Sequence, residues 1–371
     1  MKLYINSCTV LLFIIVLTSC SNERRDLIEE AKSKFFMNNV SYITEAQFPV
    51  PETELVNKMH YETILNFNET NPLGYNYKLK KDDKVYVYQN NELKVINHKN
   101  KKNRIVLPKH FKDQKQFESV ADNQLAFKKW SPIVLLKYDW EFLKDTLIEN
   151  KELKNYRRIT TDTVIEGKAV RTEQHIFLNS DAELTRFERR NYNNGIKSQV
   201  LVFNYTDYKF ADTSNLIVYQ PPADYTTQYG IPRKKELKQL EVGQKVPFFK
   251  AATMKGDSIS TNDFKKKKYV LNFSVINCGN CKLTLDYMNQ EDFIYNDKVP
   301  MIYINPEDYA EKMKIYMEGI NVPFPVITEA KEIANNFGVN SYPRFFVIDE
   351  RGIIEKIQIG YSAAFLDQFR E

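Results

Sequence analysis

Apolar and polar residues alternate with a period of two over short stretches of the first half of the chain. The segments Met59 to Phe67, Tyr75 to Leu79, Val85 to Tyr88 and Leu93 to Ile96 read as half-buried strands. Turns are marked between them at Asn71-Pro72-Leu73-Gly74, Asp82-Asp83 and Asn90-Asn91. Upstream, Asp26 to Phe36 spaces Leu27, Ile28, Ala31 and Phe35 as one face of an amphipathic helix. Spacing by three and four returns over Phe117 to Lys129 and Pro132 to Lys144, with Ser131 a candidate N-cap and proline at the first helical position. Strands resume at Tyr156 to Thr163, Val170 to Leu178, Leu184 to Tyr192 and Gln199 to Tyr208. Asn193-Asn194-Gly195 supplies a hairpin turn that tolerates positive φ. Residues 25 to 215 therefore predict one curved antiparallel sheet with a helical layer, an α+β arrangement without a defensible internal repeat.

A change of pattern follows. Gln220-Pro221-Pro222, Gly230-Ile231-Pro232 and Arg233-Lys234-Lys235 form a proline-containing polar stretch, which places a linker at 226–240. From 241 to 371 strands alternate with helices. The run Tyr269 to Leu285 (YVLNFSVINCGNCKLTL) reads as a buried strand feeding a helix. Val299 to Ile304 is a second buried strand, Pro306 to Glu318 a helix, and Glu329 to Phe337 another helix closed by Gly338. Phe345 to Asp349, a turn at Arg351-Gly352, and Ile353 to Ile359 make a final hairpin before a helix that starts at Ser362. That order predicts an α/β domain, a central mixed sheet with helices on both faces.

Composition adds little about partners. A chain of 371 residues accommodates two ordinary domains, and its formal charge of +5 is spread among interleaved acids and bases. The basic runs Lys99 to Arg104 and Lys265 to Lys268 lack interleaved aromatics and read as solvated turns, so nucleic acid is not an expected partner.

The first residues are a targeting segment. Lys2 gives a basic start and Thr9 to Leu17 an apolar core too short for a stable bilayer span, so an uncleaved membrane helix is the weaker reading. Leu17-Thr18-Ser19-Cys20 resembles the bacterial lipobox. The resemblance implies removal of a signal peptide, residues 1–19, and lipidation of Cys20 as the first residue of the mature chain. It also implies a lipid-anchored protein of the cell envelope, facing the periplasm or the cell surface. Cys8 would leave with the signal and Cys20 would be consumed by lipid, leaving two free thiols, Cys278 and Cys281.

Those two cysteines carry the candidate chemistry. Cys278 falls at or just before a helix N-terminus, where free N–H groups and the helix dipole favour a thiolate. Cys281 stands one turn on and on the same side, so a disulfide between them can open and close with little backbone motion. A half zinc site and a purely structural disulfide compete with this reading. The first needs two more ligands, and all four histidines lie well upstream; the second gains little chain entropy from so small a loop.

Around the pair the sequence is similar to the TlpA and AhpC/TSA branch of the thioredoxin superfamily. The similarity rests on Gly243, Pro247 and Phe249, a hairpin at Gly256, Asp263-Phe264, the strand into Cys-x-x-Cys, and Ser341-Tyr342-Pro343 before an apolar strand. It implies that Pro343 is the family's cis-proline and that the Tyr342 backbone pairs with an extended substrate peptide. It further implies that Cys278 attacks a substrate disulfide and Cys281 resolves the mixed bond. Asn277 replaces the tryptophan of thioredoxins proper, Asn272 the buried acid six positions before the first cysteine, and Thr284 the acid some members carry three after the second. Leu271 and Val275 stand where a peroxiredoxin would have proline and threonine, which argues against a peroxidase.

The N-terminal order of helix, meander, two helices and long strands ending in YTDYKF, Tyr205 to Phe210, resembles the half-barrel of LolA-type lipoprotein carriers. In that family the concave face holds acyl chains or a hydrophobic partner; ordinary core filling is the competing role for Phe67, Tyr75, Tyr77, Tyr86, Tyr88 and Phe203. The expected domains are thus a LolA-like half-barrel at 20–225 and a thioredoxin-like domain at 241–371. The expected activity is thiol–disulfide exchange with exported proteins or small thiols, reduced in turn by a membrane thiol donor, with no cofactor and no metal. The alternative is a lipid- or partner-binding lipoprotein in which the thioredoxin fold is mainly a scaffold.

Overall fold

The structure is a computed structural model that describes residues 27–37, 39–50, 53–125, 127–165, 168–211, 217, 219–231, 237–318, 320 and 323–371. The signal segment and Cys20 lie outside the described residues. The chain divides into two compact units, residues 1–51 with 56–232, and residues 233–371 with 52–55.

The first unit is built on one twelve-stranded sheet. Its strands are β1 (Asn39–Pro49), β2 (Val56–Phe67), β3 (Tyr75–Lys81), β4 (Lys84–Gln89), β5 (Glu92–Asn97), β6 (Lys102–Val106), β7 (Glu141–Ile148), β8 (Lys151–Ile165), β9 (Lys168–Leu178), β10 (Leu184–Asn193), β11 (Ile196–Ala211) and β12 (Thr226–Tyr229). Their order is β12-β6-β5-β4-β3-β2-β1-β11-β10-β9-β8-β7. The two meanders read from the sequence are joined where β1 pairs with both β2 and β11. Period-two patterning explains the tight turns. Asn90-Asn91 and Asn194-Gly195 all take positive φ, as two-residue hairpins require.

Helix α1 (27–36), α2 (Gln114–Asn123) and α3 (Pro132–Leu135) supply the other side of the core. Phe35, Phe117, Ala121, Ile133 and Leu135 pack with Tyr77, Tyr88, Phe187 and Phe203 in one buried cluster. The candidate aromatics Phe67, Tyr75, Tyr77, Tyr86, Tyr88 and Phe203 all belong to that core or pack against it. Two buried hydroxyls find acceptors there: Tyr77 donates to the Ala121 carbonyl at 2.6 Å, and Tyr205 donates to that of Trp130.

Four expectations need correction. The helix read at 117–129 spans Gln114–Asn123, because Asp113 caps it early, accepting from the Gln116 amide at 2.8 Å. The helix read over 132–144 stops at Leu135, and Glu141–Ile148 is strand β7. The positive φ of Glu149 and Asn150 turns β7 back onto β8, and the ladder so formed outweighs the local helical spacing. The basic run read as a solvated turn becomes β6 from Lys102 onward, held between β5 and β12 with Asn103 buried. Within the stretch read as linker, Thr226–Tyr229 pairs with β6 in parallel.

The second unit has a short hairpin, β13 (Lys250–Ala252) and β14 (Ser258–Ser260), and a five-stranded sheet. The sheet contains β15 (Tyr269–Phe273), β16 (Met301–Ile304), β17 (Val326–Ile327), β18 (Arg344–Ile348) and β19 (Ile354–Ile359), in the order β17-β16-β15-β18-β19. The first three are parallel, β18 runs antiparallel to β15, and β19 runs antiparallel to β18. Helices α4 (Gly279–Met288), α5 (Ala310–Tyr316), α6 (Lys331–Asn336) and α7 (Ala363–Leu366) complete the unit. Tyr269, Leu271 and Phe273 of β15 share a core with Ala334 and Phe337 on one side of the sheet. Alternation sends Val270, Asn272 and Ser274 to the other. No helix among the described residues is long and apolar enough to cross a membrane.

Candidate active site

Strand β15 is buried at all five positions, as expected of a central strand with both faces covered. It ends where the Ser274 amide donates to the Ile304 carbonyl at 3.0 Å. The chain then runs through Val275, Ile276 and Asn277 to Cys278, the N-cap of α4. The Cys278 sulfur accepts a hydrogen bond from the Cys281 amide at 3.1 Å, in the position a serine or aspartate oxygen takes at an ordinary N-cap. Cys278 and Cys281 are joined in a disulfide with their Cα atoms 5.1 Å apart. Cys278 is half-buried, whereas Cys281 is fully enclosed with Thr284, Leu285 and Met288 on the inner side of α4. The pair is therefore chemically unequal, one sulfur partly open to solvent and the other shielded.

Pro343 enters the same region from β18. The Tyr342–Pro343 peptide is cis, and the next residue, Arg344, pairs with Phe273 at the end of β15. This register sets Pro343 beside the start of the segment that leads to Cys278. The Gly360 amide holds the Pro343 carbonyl at 2.9 Å. Tyr342 is half-buried; burial, the Glu307 charge and a hydrogen bond to Glu307 push its hydroxyl up to about 12. Arg344 is 5% exposed, with Nη2 donating to Ser341 Oγ at 3.0 Å, and burial pushes its guanidinium below the usual value.

No carboxylate occupies the two positions singled out by the sequence. Asn272 and Thr284 are fully buried; Asn272 Oδ1 accepts from Ser274 Oγ at 2.7 Å, and Thr284 donates to the Asn280 carbonyl at 2.9 Å. Asn272 Nδ2 has no hydrogen-bond partner among the described residues. The acid that does approach the cysteine segment is Asp308, which sequence reasoning did not single out. It is 7% exposed and accepts from the Ile276 amide at 3.1 Å, Asn305 Nδ2 at 3.0 Å and Lys312 Nζ at 2.5 Å. Its only local signal was an acid four residues before a lysine at a helix start. Among the described residues no three His, Cys, Asp or Glu side chains gather closely enough to hold a metal ion.

Comparison with known proteins fits this geometry. The AhpC/TSA family pattern matches residues 242–357, a stretch that includes both cysteines, Asp308, Tyr342 and Pro343. Thioredoxin-like protein YneN of Bacillus subtilis (strain 168) is 30% identical over 131 residues, covering 34% of this chain and 76% of that protein. The chain belongs to the AhpC/TSA family. Its AhpC/TSA domain is also 27% identical over 123 residues to the thiol-disulfide oxidoreductase ResA of Geobacillus thermodenitrificans (strain NG80-2), covering 33% of this chain and 71% of that protein. The crystal structure of StoA from Bacillus subtilis matches with a TM-score of 0.28 and 24% identity, covering 33% of this chain and 96% of that one. The AhpC/TSA domain has a thioredoxin-like fold, and its relatives include proteins named thiol-disulfide oxidoreductases.

Proposed function

We propose that this protein is an extracytoplasmic, lipid-anchored thiol–disulfide oxidoreductase that reduces disulfides of exported proteins through Cys278 and Cys281. The observation that carries the reading is the asymmetry of the pair: a half-buried sulfur at a helix N-cap, bonded to a fully buried one. In the reduced protein the Cys278 thiolate attacks one sulfur of a client disulfide, and the client's other sulfur leaves as a thiolate. Cys281, deprotonated, then attacks Cys278; the mixed disulfide breaks, the second client thiol departs, and the Cys278–Cys281 disulfide remains. Two electrons have moved to the client. A membrane thiol donor restores them by the same exchange. The Tyr342 backbone, presented by the cis peptide, pairs with the client chain near its disulfide.

Anchoring through Cys20, the envelope location, and a LolA-like half-barrel made from the twelve-stranded sheet belong to the same proposal. Antiparallel strand order and helices packed on the sheet support the half-barrel reading. A second reading has one observation in its favour, a cleft of about 820 Å³ in the first unit lined by Leu153, Lys154, Arg186, Tyr205 and Tyr208. That volume is suited to a small ligand or a partner segment. Under it the sheet unit binds a lipid or partner, and the thioredoxin fold is a scaffold.

Expression of Cys281→Ser in the native host separates these readings. Client proteins trapped as mixed disulfides on Cys278, and absent with Cys278→Ser, support the oxidoreductase. Co-purified acyl chains with no trapped client favour the carrier.

A further inference from the structure

The turn that follows β16 is fixed from several directions. Asn305 Oδ1 accepts from the amides of Glu307 and Asp308 at 2.9 and 2.8 Å, and its own amide donates to the Ile327 carbonyl at 2.7 Å. The Asn305 carbonyl accepts from Ala330 at 3.0 Å, and that of Asp308 from Glu329 at 3.1 Å. From this anchored turn one carboxylate reaches the segment that leads to Cys278. Asp308 Oδ2 holds the Ile276 amide, two residues before Cys278.

We propose that Asp308 is a positioning residue for Cys278, fixing from the turn after β16 the segment that carries the nucleophile. The inference rests on the reading of Cys278 as the attacking sulfur. Hydrogen bonds from N–H groups to carboxylates are roughly twice as strong as neutral ones. The Ile276 contact is also enclosed, since Val275 and Ile276 are both buried. The segment Ser274 to Asn277 has no regular structure, so its course is set by such contacts. Lys312 and Asn305 face the same carboxylate and offset its charge, which leaves geometry as its main contribution to Cys278. Loss of the acceptor lets the segment relax and weakens the hydrogen bond from the Cys281 amide to the Cys278 sulfur.

The test compares Asp308→Ala with Asp308→Asn, each in a Cys281→Ser background, by the pH dependence of Cys278 alkylation with iodoacetamide. This measurement needs no oxidoreductase activity, so it stands apart from the reading it rests on. The expected result is a rise of the thiol's apparent pKa by about half a unit or more in the alanine variant, with recovery in the asparagine variant, which keeps an acceptor for Ile276. Movement of both variants in the downward direction, as simple loss of a negative charge would cause, overturns the assignment of Asp308. No movement in the alanine variant does the same.

Discussion

The Cys278 sulfur lies 3.1 Å from the Cys281 amide nitrogen, at the first turn of α4, and accepts its hydrogen bond. In the reduced state the same N–H, with the other free amides of that turn, faces a sulfur that can carry a full negative charge. Both effects favour the thiolate. The reduced Cys281→Ser protein is therefore expected to react with iodoacetamide at half its maximal rate near pH 6.5–7.5, below the ~8.5 of a free cysteine. A midpoint at or above that of free cysteine would show that the N-cap geometry does not activate the thiol.

The β15 strand, the N-cap position of Cys278 and the final hairpin were legible in the sequence because each rests on a short pattern of local residues, whereas the cis-proline followed from the family resemblance at Ser341-Tyr342-Pro343. The Asn-Asn and Asn-Gly hairpins were legible too. Asp308 was not. Its importance comes from meeting the Ile276 amide 32 positions away, and no local pattern reports such a contact. β7 was hidden for a related reason. Phe142, Thr146 and Ile148 fit a strand's spacing, but only pairing with β8 selects that structure over a helix. β6 was misread because its lysine and arginine side chains lie along a strand whose backbone is paired on both sides.

The Asn272 side chain marks the place of a missing acid, and restoring one tests how hostile the site is to charge. Asn272 is fully buried beside Ser274. A carboxyl in Asn272→Asp would have its pKa raised by desolvation, by roughly 2–4 units for so enclosed a group. The folded protein then binds the proton more tightly than the unfolded chain does. Its stability is full below the unfolded value of about 3.9 and falls as pH rises through the raised folded value. The variant should be less stable than wild type by about 3–5 kcal/mol at pH 7, and closer to it at pH 4, in denaturant titrations. A pH-independent difference would mean that the side chain escapes to solvent or finds a cation.

Two glycines with positive φ separate backbone conformation from close packing. At Gly243, φ is +88° and a Cβ would meet nothing within 4 Å. At Gly338, φ is +67° and a Cβ would strike the Lys238 carbonyl and the Gln239 backbone. Both alanine substitutions carry the conformational cost of about 1 kcal/mol. Only Gly338→Ala must also displace backbone at the end of α6, where the Val339 amide bonds the Ala334 carbonyl at 2.9 Å. A loss of about 3 kcal/mol or more is expected for Gly338→Ala against about 1 for Gly243→Ala, measured by chemical denaturation. Similar losses for the two would remove the clash as the cause.

The opposite side of the large sheet from its helices carries a buried charged cluster that should make the first unit sensitive to acid. Burial and the nearby Arg190 charge lower the His175 pKa below 6.5, and the opposing pull of Glu173 and Glu188 does not restore it. Burial tends to raise the carboxyls of Glu173 and Glu188, but their partners prevail. His175, Arg171 and Arg157 hold Glu173 below 4.5, and Arg186 and Arg190 do so for Glu188. All three groups thus bind protons less readily folded than unfolded. The stability they contribute is present above the unfolded values and is lost as pH falls through the lowered folded ones, first for His175 below about 6.5 and then for the carboxylates below about 4.5. His175→Phe should be less stable at every pH, because Glu173 Oε2 and Asn155 Oδ1 lose a partner 3.1 Å away. It should nevertheless lose the decline expected of wild type as pH falls below about 6.5. Calorimetry of the full chain at a series of pH values checks this, and a decline of unchanged slope in the variant would assign it to other groups.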